Sequence, residues 1–138
     1  MKLVVDSNVL FTLFWKNSVF NKISLRQDLE LFAPEFAIEE INKYKKEIIQ
    51  KTKISEKEFI EIKKELAIRV EFISIEEYSN FLNIALKIIN TEKELLNDID
   101  FIALALKLKV PLWTNDKLIK KIKEINVINT KELIEVIE

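Results

Sequence analysis

Three of the five aspartates in this chain of 138 residues lie in one short stretch, residues 97–117. Asp98 and Asp100 begin an apolar helical segment, and Asp116 follows a short apolar strand. In a parallel α/β layer the crossover helix runs antiparallel to the strands, so its N-terminus lies at the carboxyl edge of the sheet, as do residues directly after a strand. Ligands bind in the crevice at that edge. We therefore expect Asp98 and Asp116 to be close in space although they are 18 positions apart.

Two acids from other parts of the chain are expected at the same edge. Asp6 directly follows the predicted strand Lys2–Val5, and Glu40 lies in the helix after the second predicted strand. The apolar positions of that helix recur at helical spacing: Ala37, Ile41, Tyr44 and Ile48. This spacing turns Glu40 toward the sheet and leaves Glu39 on the exposed side. A carboxylate on an inward face needs a partner or a metal ion, because burying it unpaired is costly.

Each acid also has an ordinary structural explanation, which the sequence leaves open. Asp6 could cap the helix after the first strand, and Glu40 could pair with a lysine or a backbone donor. Asp98 and Asp100, in a first helical turn, complement the helix dipole. Asp100 is expected in a less buried direction, shared with Ala103, Leu104 and Lys107. Capping does not require the caps to meet, so convergence of four acids on one crevice weakens these explanations.

The composition narrows the chemistry that such a crevice can perform. The chain has no histidine, cysteine or glycine. These absences exclude a histidine base, a thiol nucleophile, a Walker loop and a GxGxxG fingerprint. Any metal must be held by oxygen, which favours Mg²⁺ or Mn²⁺. Clustered carboxylates repel one another unless cations neutralise them, and one or two such ions can activate water and clamp a phosphodiester. Neighbouring polar residues could support the acids or a phosphate: Ser7, Asn8, Asp100, Thr114 and Asn115.

Short apolar strands alternate with helices along the whole chain. Strands are predicted at Lys2–Val5, 30–33, Val70–Ile73, 110–113 and 126–128. Helices are predicted at 9–15, 19–28, 34–51, 55–67, 74–90, from 98 through the apolar segment 101–106, and at 117–124 and 130–138. Ser55 with Glu58 and Ser74 with Glu77 have the spacing of helix-capping pairs. This alternation predicts a single α/β domain over residues 1–138, with a five-stranded parallel sheet and helices on both faces.

Three segments together resemble the PIN domain family: VVDSNVLF, APEFAIEEI and DIDFIALALKLKVPLWTNDK. The resemblance covers essentially the whole chain and implies a three-layer α/β/α fold with strand order 3-2-1-4-5. It implies a metal-dependent ribonuclease, and the family's acids fall on Asp6, Glu40, Asp98 and Asp116. The family includes the toxin halves of VapC-type toxin–antitoxin pairs, so the partners it suggests are a cognate antitoxin protein and a second copy of the chain. One departure is Lys109, where relatives often have glycine before the fourth strand.

Binding of single-stranded RNA must depend on local lysines, because the net charge of −1 gives no global attraction to nucleic acid. The candidates near the predicted edge are Lys43, Lys46, Lys117, Lys120 and Lys121. Any one of them could equally be ordinary solvated surface. The sequence has no apolar run that predicts a membrane span and no signal peptide, so we expect a cytoplasmic protein.

Other functional classes fit the residues less well. A haloacid-dehalogenase-like phosphatase needs a second aspartate two residues after the first, where Asn8 stands. A receiver-like phosphoacceptor needs an aspartate at the end of the third strand, where Ser74 stands. The serious alternative is a catalytically idle module of the same fold that binds RNA or protein, since a fold alone does not establish activity.

Overall fold

The computed structural model describes residues 1–90 and 92–138 and contains a five-stranded sheet in which each pair of neighbouring strands is parallel. The strands are β1 (Lys2–Val5), β2 (Glu30–Pro34), β3 (Val70–Ile73), β4 (Leu112–Trp113) and β5 (Val127–Ile128). Their order is β3-β2-β1-β4-β5. The predicted α/β fold and the strand order implied by the family resemblance are therefore confirmed.

Helices flank this sheet. In chain order they are α1 (Ser7–Leu10), α2 (Val19–Ile23), α3 (Phe36–Lys43), α4 (Lys45–Thr52), α5 (Glu56–Arg69), α6 (Ile75–Tyr78), α7 (Leu82–Ile89), α8 (Ile99–Leu108), α9 (Lys117–Lys120) and α10 (Thr130–Ile137). Short 3₁₀ turns follow α1 and α6 and precede α8: Phe11–Phe14, Ser79–Phe81 and Lys93–Asp98. No helix in these described ranges is both long and apolar enough to cross a membrane.

The helix predicted over 34–51 is wrong at its start and in its middle. Pro34 is the last residue of β2 and does not begin the helix. Tyr44, at φ −97° and ψ 14°, separates α3 from α4. The hydrogen bonds continue through this bend, since Tyr44 N donates to Glu40 O at 3.0 Å and Ile48 N donates to Tyr44 O at 2.9 Å. The bend therefore sacrifices few backbone hydrogen bonds.

Several other predicted elements are too long. The helix predicted over 19–28 ends at Ile23, and the one over 117–124 ends at Lys120. The helix over 74–90 is interrupted by the 3₁₀ turn at Ser79–Phe81, and Ser74 makes no side-chain capping hydrogen bond. By contrast, the capping box of Ser55 and Glu58 is present. The fourth strand starts two residues late, after Pro111, which has no N–H to give to the ladder.

The core centres on β1 and on α8, whose residues 101–105 are all buried. A helix that is apolar on every side is stable only inside a protein, and α8 packs against β1 and β2. Lys109 ends α8 in the left-handed conformation, at φ 57° and ψ 43°. Glycine is the usual residue for this helix cap, because a side chain adds steric cost there. The departure at Lys109 thus lies at the turn into β4.

Candidate active site

Asp6 lies at the carboxyl end of β1 and is only 2% exposed. Its Oδ1 accepts a 2.8 Å hydrogen bond from the Ser7 amide, so the expected helix-capping role is real. Its Oδ2 accepts a 2.6 Å hydrogen bond from the Thr114 hydroxyl. Burial raises the pKa of Asp6, the two hydrogen bonds oppose the rise, and the charge of Asp116 adds to it.

Thr114, at the end of β4, connects the acid after β1 to the acid after β4. Its hydroxyl donates to Asp6 and accepts from the Asp116 amide at 3.1 Å and from Asn8 Nδ2 at 3.4 Å. Pairing of β1 with β4 brings the two strand ends together, with Val5 opposite Trp113. Thr114 is therefore a buried junction beneath the site.

Glu40 projects from α3 and is half-buried, whereas Glu39 is exposed. This difference matches the faces predicted from the apolar spacing of the helix. The Oε1 atom of Glu40 is buried without a hydrogen-bond partner among the described residues. Burial, and next the charge of Asp6, raise the pKa of Glu40 to about 7. The structure thus holds an unsatisfied carboxylate oxygen beside a second buried acid, an arrangement that costs free energy unless a cation or a proton is present.

Asp98 and Asp116 occupy the starts of two different helices. Asp116 caps α9, since its Oδ1 accepts from the amides of Leu118 at 2.8 Å and Ile119 at 3.4 Å. Asp98 precedes α8 but makes no side-chain capping hydrogen bond in the part of the chain that the structure describes. The pKa of Asp98 is raised to about 7. Burial is the largest cause, and the negative charges of Asp6, Asp116 and Glu40 add to it. Capping therefore accounts for Asp116 but not for Asp98, whose position at the start of α8 still permits the expected interaction with the helix dipole.

The four acids form one electrostatically coupled group at the carboxyl edge of the sheet. The charge of Asp6 raises the pKa of both Glu40 and Asp98, and Asp116 acts on both Asp6 and Asp98. Within the described part of the chain, however, no three acids are close enough to hold a metal ion as they stand. The donor set still fits a hard divalent cation, because it is all oxygen and includes the Glu40 oxygen that has no partner in the described ranges. Binding would require these side chains to move closer together.

Asp100 lies on a more buried side of α8 than the sequence predicted, and a hydrogen bond holds its side chain in place. Ala103 and Leu104, which were expected on a less buried face, are fully buried, and Asp100 itself is half-buried. Its Oδ2 accepts a 2.5 Å hydrogen bond from the hydroxyl of Tyr78, a residue that is 1% exposed. The charge of Asp100 contributes to the raised pKa of Glu40. Tyr78 was not anticipated, because in the sequence it is one apolar position of an amphipathic helix.

The other polar residues near the carboxyl edge of the sheet make different contacts. Asn115 is exposed, and its Oδ1 accepts a 2.9 Å hydrogen bond from the amide of Thr130, which fixes the start of α10. The Ser7 hydroxyl lowers the pKa of Glu40, which opposes the effect of burial. Asn8 is exposed and reaches the site through Thr114.

The five lysines suggested by the sequence differ in their surroundings. Lys43 lies near Glu40, whose pKa its charge lowers, and its Nζ is 5.4 Å from the centre of the Tyr44 ring. Lys120 is already engaged, because its Nζ donates to Val127 O at 2.8 Å and to Glu132 Oε1 at 2.5 Å. All five are exposed, including the remaining three, Lys46, Lys117 and Lys121. Lys43 is therefore the lysine best placed to act at the site.

A cleft of about 160 Å³ adjoins the acids. It is lined by Phe36, Glu39, Glu40, Lys43, Tyr44 and Asn97. The sequence analysis did not identify three of these residues as part of a site: Phe36, Tyr44 and Asn97. Aromatic residues in an amphipathic helix usually belong to the core, and Asn97 lies in a turn with no motif of its own. The signal that could have found them is their nearness in the chain to Glu40 and Asp98.

Comparisons with known proteins agree with this architecture. Residues 4–132 match a family model described as PIN domain. No curated protein sequence matches the chain significantly. Among solved structures, the chain is similar to one from the crystal structure of VapBC2 from Rickettsia felis bound to a DNA fragment from their promoter. The TM-score is 0.68 at 17% sequence identity, over 94% of this chain and 98% of the other. At that identity the likeness supports the fold.

Proposed function

Because the chain belongs to the PIN domain family, we propose that it is a metal-dependent endoribonuclease that hydrolyses phosphodiester bonds of single-stranded RNA. The proposed cofactor is Mg²⁺ or Mn²⁺. Its proposed ligands, which are also the proposed catalytic residues, are Asp6, Glu40, Asp98 and Asp116.

The observation that carries this proposal is the buried Oε1 of Glu40, which has no hydrogen-bond partner among the described residues and lies within a group of mutually repelling carboxylates. A protein gains no stability from holding such acids together, because each raises the cost of ionising the next. A bound cation removes that cost. Perturbed acids that converge in a crevice are a common signature of a functional site.

The residues of the proposed site have different roles. Asp6, held by the Thr114 hydroxyl and the Ser7 amide, provides a fixed carboxylate at the base of the crevice. Glu40 and Asp98 provide less constrained carboxylates, since within the described residues Glu40 Oε1 has no hydrogen-bond partner and Asp98 makes no side-chain capping hydrogen bond. When bound, the divalent cation supplies Lewis-acid charge that activates water and balances the phosphodiester. Lys43, whose charge acts on Glu40, is the proposed contact for a neighbouring phosphate of the RNA.

Cleavage of single-stranded RNA with Mn²⁺ and with EDTA, by the parent and by Asp98→Asn, tests the proposal. The parent should cut only with the metal, and Asp98→Asn should not cut. The matched control is Asp28→Asn, because Asp28 is an exposed aspartate paired with Arg26 and should be dispensable. Cleavage that persists in EDTA would contradict the metal mechanism. RNA binding without cleavage, across metals and substrates, would favour the idle binding module.

A narrower proposal is that the chain acts as the toxin of a toxin–antitoxin pair, inhibited by a cognate antitoxin protein and assembled as a homodimer. The similarity to a chain of the VapBC2 structure motivates this proposal. Expression of the parent alone should then arrest bacterial growth, and Asp98→Asn should not. Co-expression of the protein encoded next to this chain should restore growth. Normal growth with an active parent enzyme would instead favour a housekeeping nuclease.

A further inference from the structure

Most of the residues that line the cleft beside the acids have no part in the proposed metal chemistry. Glu40 belongs both to the acid group and to the cleft wall, so a group bound in the cleft lies next to the proposed reaction site. Its volume of about 160 Å³ is well below the roughly 300 Å³ of the smallest usual ligand pockets. The cleft therefore suits one ring system of a larger substrate rather than a whole small molecule.

Two aromatic rings form part of the lining and are held in place by the core. Phe36 packs edge-on against the buried Phe101, with ring centres 6.5 Å apart. Tyr44 packs edge-on against Phe11, with ring centres 6.1 Å apart. These contacts restrict the rings before any ligand arrives, which reduces the entropy cost of stacking a planar group on them.

The polar groups of the cleft complement those of a nucleotide. Lys43 offers an ammonium group to a phosphate, and its Nζ lies 5.4 Å from the centre of the Tyr44 ring. Asn97 lines the cleft from the turn just before Asp98, and its amide can both donate and accept hydrogen bonds. Aromatic stacking combined with hydrogen bonds to an exposed base edge is the usual means of reading single-stranded RNA.

We propose that this cleft is a nucleobase subsite that holds one unpaired base of the RNA next to the bond to be cut, an inference that rests on the proposed ribonuclease function. Glu39 sets the preference of this subsite. A carboxylate accepts hydrogen bonds through two oxygens, and it suits a base that presents two adjacent donors. Adenine, cytosine and uracil each present one donor on the Watson–Crick edge, whereas guanine presents two, N1–H and the exocyclic amino group, so the subsite prefers guanine.

The test uses single-stranded RNA oligonucleotides in which each position around the cut carries one of the four bases or an abasic ribose. At one position, an abasic ribose should lower kcat/KM of the parent about tenfold or more, the size expected for one lost stacked base. Adenine, cytosine or uracil there should give intermediate rates. Tyr44→Leu and Asn97→Ala should reduce the dependence on that base, and Glu39→Gln should remove the preference for guanine.

Asn126→Ala is the matched control, because Asn126 is an exposed asparagine that directly precedes β5 at the opposite edge of the sheet. It should retain the parent's full base dependence. Asn97 is exposed, so Asn97→Ala keeps the test informative even if Tyr44→Leu unfolds. Parent cleavage that is equal with every base and with the abasic ribose would overturn the subsite while leaving the nuclease function standing.

A second measurement does not depend on cleavage. RNA carrying the fluorescent base 2-aminopurine at the sensitive position, or at each position in turn if nothing is cut, is mixed with Asp98→Asn. Stacking in the cleft should quench the fluorescence, and the additional change Asn97→Ala should weaken the quenching. Quenching by a parent that never cuts RNA would support the subsite and contradict the nuclease function. Absence of quenching at every position would overturn the subsite whatever the activity.

Discussion

The hydroxyl of Thr114 donates a 2.6 Å hydrogen bond to Oδ2 of Asp6, although 108 positions separate the two residues. The bond joins the ends of β1 and β4, and both residues are almost completely buried. It fixes one acid of the proposed metal site from below while the Ser7 amide fixes the other oxygen. The rigid part of the site is therefore built by the pairing of two parallel strands.

Replacing Thr114 by valine removes the hydroxyl while nearly preserving the shape. The buried Asp6 oxygen then lacks its partner, so we expect a loss of about 1–3 kcal/mol in the free energy of unfolding. Mn²⁺ affinity should fall as well, because Asp6 is no longer fixed. Urea unfolding and Mn²⁺ titration measure both effects. Thr52→Val is the control, since the Thr52 hydroxyl donates to the Ile48 carbonyl within α4 and not to an acid of the proposed site. Equal effects of the two changes on Mn²⁺ affinity would refute the role given to Thr114.

Asp98→Asn should raise the melting temperature of the metal-free protein at pH 8. The substitution removes one of several carboxylates that repel each other, and within the described chain Asp98 makes no side-chain capping hydrogen bond that would be lost. Added Mn²⁺ should stabilise the parent strongly and the variant little, because ligands stabilise only the state they bind. Thermal melts in EDTA and in Mn²⁺ measure both shifts. A variant less stable than the parent in EDTA would contradict the repulsion argument.

The metal-free protein should lose stability as the pH rises from about 4 to above 7. In the folded state the pKa of Glu40 and that of Asp98 are both raised to about 7, from ordinary values of 4.5 and 3.8. Between these limits the folded state binds more protons than the unfolded state, so unfolding becomes easier with increasing pH. Urea unfolding at a series of pH values in EDTA should show this slope, and Asp98→Asn should reduce it. Saturating Mn²⁺ should weaken the loss above pH 7. A rise in stability over the same range without metal would contradict the prediction.

Lys43→Ala should weaken RNA binding and reduce its dependence on salt by about one ion, as expected for one lost phosphate contact. Lys120→Ala should leave the salt dependence unchanged, since Lys120 is bound to Glu132 and to the Val127 carbonyl. RNA affinity of the catalytically disabled Asp98→Asn background, measured at several salt concentrations, gives both slopes. An unchanged slope after replacement of each of the five candidate lysines would exclude this patch as the phosphate contact.

The sequence by itself predicted a parallel sheet and assigned the acids to one edge of it, whereas the strand order came from the family resemblance. Short apolar strands alternating with helices leave a parallel sheet as the natural arrangement, and a residue that follows a strand must lie at its carboxyl edge. Asp6 and Asp116 follow from this rule alone. The inward direction of Glu40 follows from the spacing of Ala37 and Ile41, because helical periodicity is a local property.

Contacts between residues that are distant in the sequence, and the burial of individual side chains, were decided only by the tertiary structure. The bend at Tyr44 forms part of the wall of the cleft beside Glu40. The hydrogen bond from Tyr78 to Asp100 and the bond from Thr114 to Asp6 join residues 22 and 108 positions apart. Such contacts depend on strand register and on how helices pack, which are set by the whole core. The raised pKa values of Glu40 and Asp98 also depend on the tertiary structure, because they result mainly from burial, and the fold determines which side chains are buried.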